Sequence, residues 1–206
     1  MSDSVETSKS SKSSKPGKLK RFWRVLHRPS VEYTLFTLLI VGFVLGILFW
    51  GGFHTGMAAS NTEAFCIGCH EMQGNYEEYK KTIHYSNRTG VRATCSDCHV
   101  PKEFIPKMLR KLEARHDVWG HLTGKVDSKE KFEANRKAMA EREWARMKAS
   151  DSSTCRSCHT YDGMNSEMQD PAAVKKHTAA AKADSGKTCI DCHQGIAHEL
   201  PKDVEE

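Results

Sequence analysis

Eight cysteines constrain this chain more than any other feature, because they fall into four copies of one pentapeptide, Cys-x-x-Cys-His. The copies begin at Cys66, Cys95, Cys155 and Cys189 and leave no cysteine over. In this pentapeptide two thiols can form thioether bonds to a porphyrin, and the adjacent histidine can reach the iron. The sequence therefore predicts four covalently bound c-type haems.

The predicted attachment residues are the cysteines of the four motifs, Cys66, Cys69, Cys95, Cys98, Cys155, Cys158, Cys189 and Cys192. The predicted iron ligands within the motifs are His70, His99, His159 and His193. Zinc sites and redox Cys-x-x-Cys pairs are alternatives, but they need no histidine at the following position. A disulfide framework would also leave the four histidines unexplained.

The composition supports haem as the core of the domain. Residues 54–206 contain only 18 Leu, Ile, Val and Phe in 153 positions, a level typical of disordered chains. Four buried porphyrins would provide the missing apolar volume, so we expect a domain that folds only with its haems. The net charge of +5 is too small to indicate nucleic-acid binding.

One hydrophobic block precedes this domain. Tyr33 to Phe53 is a run of 21 residues without a charge, about the length that a helix needs to cross a bilayer. A cleaved signal peptide is the alternative, because Met57-Ala58-Ala59-Ser60 loosely resembles a cleavage site. Signal peptides usually have shorter apolar regions, so the sequence favours an uncleaved anchor. We expect the anchor helix at residues 31–53, with a start near Pro29.

Charge on either side of the block predicts its orientation. A Ser- and Lys-rich tail and a basic amphipathic stretch occupy residues 1–30, whereas Glu63 follows the block. Since positive residues stay in the cytoplasm, the N-terminus is expected there and the domain at 54–206 in the periplasm, as part of a bacterial inner-membrane protein. Gly42 and Gly46 form a weak small-x-x-x-small pattern compatible with a homodimer.

The predicted fold is mainly α, with one transmembrane helix and a domain of short helices and loops around four haems. Its motifs form two pairs, which suggests duplicated di-haem halves at about 54–126 and 150–201. Coincidence is the weaker interpretation. Residues 102–122 are expected to form a helix interrupted near Pro106, with Ile105, Leu109 and Leu112 opposite a basic face. A charged helix at residues 128–149 is expected to join the halves.

Four six-coordinate irons need up to eight axial ligands, of which the motifs provide at most four. The candidate distal ligands are His84, His177 and His198, and the weaker candidates are His116 and His121. Met72 is a further candidate ligand for the first haem. The sequence does not decide whether His70 or Met72 is the axial ligand of that haem. It also leaves open which distal histidine serves which haem.

The chain from the anchor to Pro201 resembles the NapC/NirT family of membrane-anchored tetrahaem cytochromes. The stretches that carry the resemblance are Asn61-Thr62-Glu63 with Cys66-Ile67-Gly68-Cys69-His70-Glu71-Met72, Thr82-Ile83-His84-Tyr85-Ser86-Asn87 with Cys98-His99-Val100-Pro101, Glu143-Trp144-Ala145-Arg146-Met147-Lys148-Ala149, and Gly195-Ile196-Ala197-His198-Glu199-Leu200-Pro201.

Membership of this family would imply a quinol dehydrogenase that passes electrons from menaquinol or ubiquinol to a periplasmic reductase, with nitrate reductase as the first choice. The resemblance supports the three distal histidines and places Lys111 and Asp117 near the first haem and the quinol. Without it, Lys111 is one more cation on a helix face and Asp117 a solvated carboxylate. The competing functions are a tethered electron shuttle for a nitrite, trimethylamine N-oxide or dimethyl sulfoxide reductase, and reduction of a small oxyanion at an open haem.

Overall fold

A computed structural model of the protein describes residues 17–26, 29 and 31–202. This part of the chain consists of helices and loops and contains no strand, which confirms the mainly α prediction. It forms two compact units that divide between Phe53 and His54. The helices are α1 (Lys18–Leu26), α2 (Leu35–Ala59), α3 (Glu63–Cys66), α4 (Met72–Tyr79), α5 (Cys95–His99), α6 (Phe104–Glu113), α7 (Arg115–Leu122), α8 (Lys129–Ala149), α9 (Ser153–Arg156) and α10 (Pro171–Ala180), with short 3-10 helices at Ser166–Met168 and Cys189–Asp191.

Helix α2 is the apolar helix that the sequence predicts, with different ends. It runs for 25 residues, has no buried residue, and is long and apolar enough to cross a membrane. It begins at Leu35, after Thr34, whose hydroxyl accepts a hydrogen bond from the Thr37 N–H at 3.2 Å. The start expected near Pro29 was therefore too early. At the other end the backbone stays helical to Ala59, six residues beyond the predicted end at Phe53. Hydropathy marks the apolar run and does not predict where the helix ends.

The central helices differ from the prediction at one point. Pro106 is the third residue of α6, where an amide N–H would have no intrahelical partner, so it does not interrupt the helix. The break lies instead at Ala114, between α6 and α7. Helix α8 forms as predicted, with the Ser128 hydroxyl accepting from the Lys131 N–H at its start.

Few side chains form a core. In the part of the second unit that the structure describes, the buried hydrophobic residues are Tyr79, Phe132, Met147 and Ile190. Helix α8 contributes Phe132 and Met147 and contacts the 3-10 helix that contains Ile190. The polypeptide thus encloses little apolar volume of its own, in keeping with its sparse aliphatic composition.

Candidate haem-binding site

Local sequence positions the second and fourth motifs in the same way. Each begins one residue after a threonine, Thr94 or Thr188, whose side chain and backbone form a capping box with the aspartate three residues later. The Thr94 N–H donates to Asp97 at 2.8 Å, and the Thr188 N–H donates to Asp191 at 2.8 Å. The capping box fixes the helical turn that begins at the first cysteine of each motif.

All eight thiols lie in the described region, and none is joined in a disulfide. The disulfide alternative therefore receives no support. A hydrogen bond between Cys66 and Cys95 lowers the pKa of Cys66 to about 6, so the first and second motifs are neighbours. Their helices, α3 and α5, are also in contact.

The same holds for the later motifs. Burial and the nearby sulfurs of Cys155 and Cys158 raise the pKa of Cys98 to about 11, and α5 contacts α9. Burial and the charge of Cys189 raise the pKa of Cys155. Thioether sulfurs do not titrate, so in the haem-bound protein these shifts mean only that the sulfurs are close. The motifs thus follow one another in space in their sequence order.

Three motif histidines lie beside a second histidine. The ring centres are 6.2 Å apart for His84 and His159, 6.2 Å for His99 and His198, and 5.9 Å for His177 and His193. An imidazole nitrogen binds a metal at about 2 Å and lies about 1 Å from its ring centre, so two imidazoles that share a metal have centres about 6 Å apart. All three pairs have the spacing of bis-histidine ligation.

The partners cross the two predicted halves of the domain. His177 lies beside the motif histidine of its own half, whereas His84 and His198 each lie beside a motif histidine of the other half. Burial lowers the pKa of His84 and of His198, which favours the neutral imidazole that can bind a metal. His84 and His177 therefore do not have the equivalent partners that a simple duplication would give.

The first motif is different. Its histidine, His70, has its ring centre 6.0 Å from that of His121, but the carboxylate of Glu71 lies between them. Glu71 Oε1 accepts a hydrogen bond from His121 Nδ1 and is 3.8 Å from His70 Nε2. Met72 is half-buried and begins α4 directly after Glu71. The structure brings the weaker candidate His121 to the first motif, whereas His116 lies exposed on α7.

Hydrogen bonds orient two of the paired histidines, through residues that the sequence did not single out. His99 Nδ1 donates to Glu143 Oε1 at 2.8 Å, and His177 Nδ1 contacts Gln169 Oε1 at 2.7 Å. In both rings Nε2 is left for an iron. Burial raises the pKa of Glu143, but the hydrogen bonds from His99 and Arg146 outweigh it, and the pKa falls to about 2. The only sequence signal for Glu143 was its place in the stretch 143–149.

Lys111 lies near the first motif, and Asp117 lies exposed on α7. Lys111 Nζ donates to the carbonyl oxygen of Ser60 at 2.9 Å and to its hydroxyl at 2.8 Å. Burial lowers the pKa of Lys111, and the charge of the Cys66 sulfur opposes this change. Asp117 is exposed and 3.8 Å from Arg110, so it remains in contact with solvent.

Free thiols in four motifs, histidine pairs with metal-ligand spacing and a nearly absent side-chain core all fit covalently bound haem. These features define a c-type cytochrome, an electron-transfer protein. Residues 28–203 match the NapC/NirT cytochrome c family, N-terminal region. The chain belongs to this family.

Several curated proteins are similar to the chain over most of its length. It is 57% identical to the denitrification system component NirT of Stutzerimonas stutzeri over 183 residues, which cover 88% of this chain and 90% of that protein. It is 54% identical to the cytochrome c-type protein NapC of Escherichia coli K12 over 188 residues, or 91% and 92%. No solved structure matches the chain.

A third relative is longer. The cytochrome c-type protein TorC of Escherichia coli K12 is 46% identical over 184 residues, which cover 89% of this chain but only 47% of TorC. The family and the apolar helix α2 together indicate a membrane-anchored cytochrome.

Proposed function

We propose that this protein is a quinol dehydrogenase that oxidises membrane quinol and delivers single electrons to a periplasmic reductase through four c-type haems. The N-terminus would lie in the cytoplasm and the haem domain in the periplasm of a bacterial inner membrane. The observation that carries the proposal is the continuous order of the four motifs, which begins at Cys66, seven residues after the last residue of α2. We expect the quinol to donate its electrons at this end.

We propose bis-histidine ligation for the second, third and fourth haems, by His99 with His198, His159 with His84, and His193 with His177. Their ring spacings support these assignments. The bound haem irons would carry one electron each. For the first haem, His70 or Met72 is the proposed ligand of the chain, with Glu71 and His121 beside it.

Lys111 and Asp117 are the proposed residues of the quinol site. A quinol releases two protons and two electrons when it is oxidised, so the site needs a hydrogen-bond donor and a proton acceptor. An ammonium group has three N–H donors, and Lys111 directs two of them at Ser60, which leaves one for a quinol oxygen. The exposed carboxylate of Asp117 can accept a proton and pass it to water.

The test compares Lys111→Met and Asp117→Asn with the parent in detergent, using menaquinol and ubiquinol analogues as electron donors. We expect haem reduction by quinol to slow at least tenfold, while dithionite still reduces every haem. Lys107→Met is the matched control on the same helix and should keep normal quinol kinetics. Normal kinetics in both site variants would reject the site. A parent that accepts electrons only from an added cytochrome would be a tethered shuttle.

The proposed acceptor is a periplasmic nitrate reductase, which the family resemblance implies as the first choice and with which the NapC relatives agree. NirT, a denitrification system component, matches the chain over a similar length at 57% identity, so a reductase of a denitrification system, such as a nitrite reductase, is the second candidate. Mixing the quinol-reduced protein with each purified reductase and its substrate distinguishes them. Fast haem reoxidation is expected with the physiological partner only, and reoxidation by nitrite without any partner would indicate an open haem instead.

A further inference from the structure

Helix α6 is turned so that its apolar face points away from the protein. Ile105, Leu109 and Leu112 occupy one side of the helix and are 63%, 56% and 61% exposed. Lys107, Arg110 and Lys111 lie on the opposite side and are half-buried. An amphipathic helix on a water-soluble surface has the reverse orientation.

The apolar surface continues onto α7. Among the described residues after Phe53, twelve large hydrophobic side chains are exposed, and seven of them belong to these two helices. The seven are Phe104, Ile105, Leu109, Leu112, Val118, Trp119 and Leu122. The other five are scattered along the chain. The seven clustered side chains therefore form the apolar surface that is expected to contact a partner or a membrane. We call these seven residues the α6–α7 face.

A haem is a poor candidate to cover the α6 part of this face. Lys111 interacts electrostatically with the sulfur of Cys66, so the attachment point of the first haem is on the side of Lys111. Leu109 precedes Lys111 by two residues, which puts the two side chains on opposite sides of the helix. The apolar side of α6 is therefore directed away from the nearest attachment cysteine.

The bilayer is the occupant that the contacts favour. Lys111 Nζ donates two hydrogen bonds to Ser60, the residue that directly follows the last residue of α2. If α2 spans the bilayer, Ser60 is only a few residues from it along the chain, and the Lys111 contact ties α6 to Ser60. Trp119 and Phe104 are side chains that favour the interface.

We propose that the α6–α7 face lies in the membrane interface, as a second and shallow attachment in addition to α2. The contact is with the headgroup and upper acyl region of the lipid. The proposal rests on membrane anchoring by α2 and is independent of quinol oxidation.

The test uses the full-length haem-loaded protein in vesicles that contain a photoreactive phosphatidylcholine. One probe carries its diazirine near the glycerol end of an acyl chain, and another carries it at the chain terminus. Mass spectrometry of digested protein then locates the label. We expect the shallow probe to label peptides of α6 and α7, and the deep probe to label the middle of α2. Peptides with the exposed residues Ile83, Val91 and Met168 serve as internal controls and should stay unlabelled.

A triple variant, Ile105→Gln, Leu109→Gln and Leu112→Gln, should lower the shallow labelling of α6 several-fold with an unchanged haem spectrum. The matched control is Ile83→Gln with Val91→Gln, which should leave the labelling of α6 unchanged. Label on α2 but none on α6 and α7 of the parent would overturn the proposal and mean that protein or haem covers the face. Label absent from α2 as well would overturn membrane anchoring together with this inference.

Discussion

The histidine pairs predict which single substitutions should remove an axial ligand from a haem iron. The ring centres of His84, His177 and His198 each lie about 6 Å from that of a motif histidine, the spacing of two imidazoles that share a metal. Replacing any one of them by Ala should convert one iron from low spin to high spin, because the lost imidazole leaves water or an empty position. Low-temperature electron paramagnetic resonance measures this change. His116→Ala is the control, and an unchanged spin state in His84→Ala would remove His84 from the ligand set.

Glu143 gives a second prediction at this scale. Its carboxylate accepts a hydrogen bond from His99 Nδ1, which makes the imidazole a stronger donor and favours the oxidised iron. In Glu143→Gln we expect the midpoint potential of one haem to rise by roughly 40 mV, the equivalent of about 1 kcal/mol for a one-electron couple. Spectroelectrochemical titration measures it. Glu141→Gln, on the exposed side of α8, should leave all potentials unchanged. Unchanged potentials in both variants would contradict the role.

The sequence predicted the histidine candidates but not their partners. A surplus of histidines beside four haem motifs is visible in the chain, whereas the distance between His84 and His159 depends on the packing of separate helices. Glu143 was missed for the same reason, since it reaches His99 from 44 positions away. Ligand type is thus a local property of the sequence, and ligand pairing is a tertiary one.

At the scale of helices, one ion pair connects three parts of the second unit. Arg136 of α8 donates to both carboxylate oxygens of Glu78 on α4, at 2.8 and 2.6 Å, and to the carbonyl of Glu199 at 2.7 Å. Both charged side chains are largely buried, with 12% and 13% exposed. The pair therefore holds α8 against α4 and the C-terminal loop.

Arg136→Met should destabilise the domain by roughly 2 kcal/mol, between the values for exposed and for buried ion pairs, because Glu78 loses its partner. Denaturant unfolding followed by circular dichroism measures the loss. Lys131→Met, on the same helix as Arg136, is the control, since it removes an exposed ion pair with Asp127 and should change little. Equal stability of the two variants would show that the Arg136 pair contributes nothing.

The same pair predicts a pH dependence. Burial raises the pKa of Glu78, but the hydrogen bonds and charge of Arg136 outweigh it, so the pKa is lowered overall. Its stabilisation is therefore complete above the unfolded carboxyl pKa of about 4.3 and is lost as the pH falls through the lower folded value. The stability difference between the parent and Arg136→Met should shrink below about pH 4. A difference that stays constant down to pH 2 would contradict this assignment.

Helix α6 illustrates what periodicity can and cannot predict. The spacing of Ile105, Leu109 and Leu112 predicted an amphipathic helix, and α6 is one. Periodicity gives two faces but not which face turns inward. The usual rule puts the apolar face inside, and here the structure does the opposite, because the domain does not bury its helices in a common side-chain core.

For the whole molecule, the shortage of buried hydrophobic side chains leads to a folding prediction. Protein prepared without haem should show no cooperative thermal transition, because its four buried hydrophobic residues in the described second unit cannot offset the loss of chain entropy. The haem-loaded protein should melt cooperatively. Differential scanning calorimetry of both forms tests this, and a sharp transition in the haem-free form would contradict it.

The motifs neighbour one another in space in the order in which they occur along the chain. Translation starts at the N-terminus, so the ribosome makes the motif nearest the anchor first and the most distant motif last. Sequence added after the fourth motif would therefore leave the contacts among the earlier motifs unchanged. TorC, of which the match covers only 47%, shows that a relative of this chain can carry about as much sequence again outside the matched part.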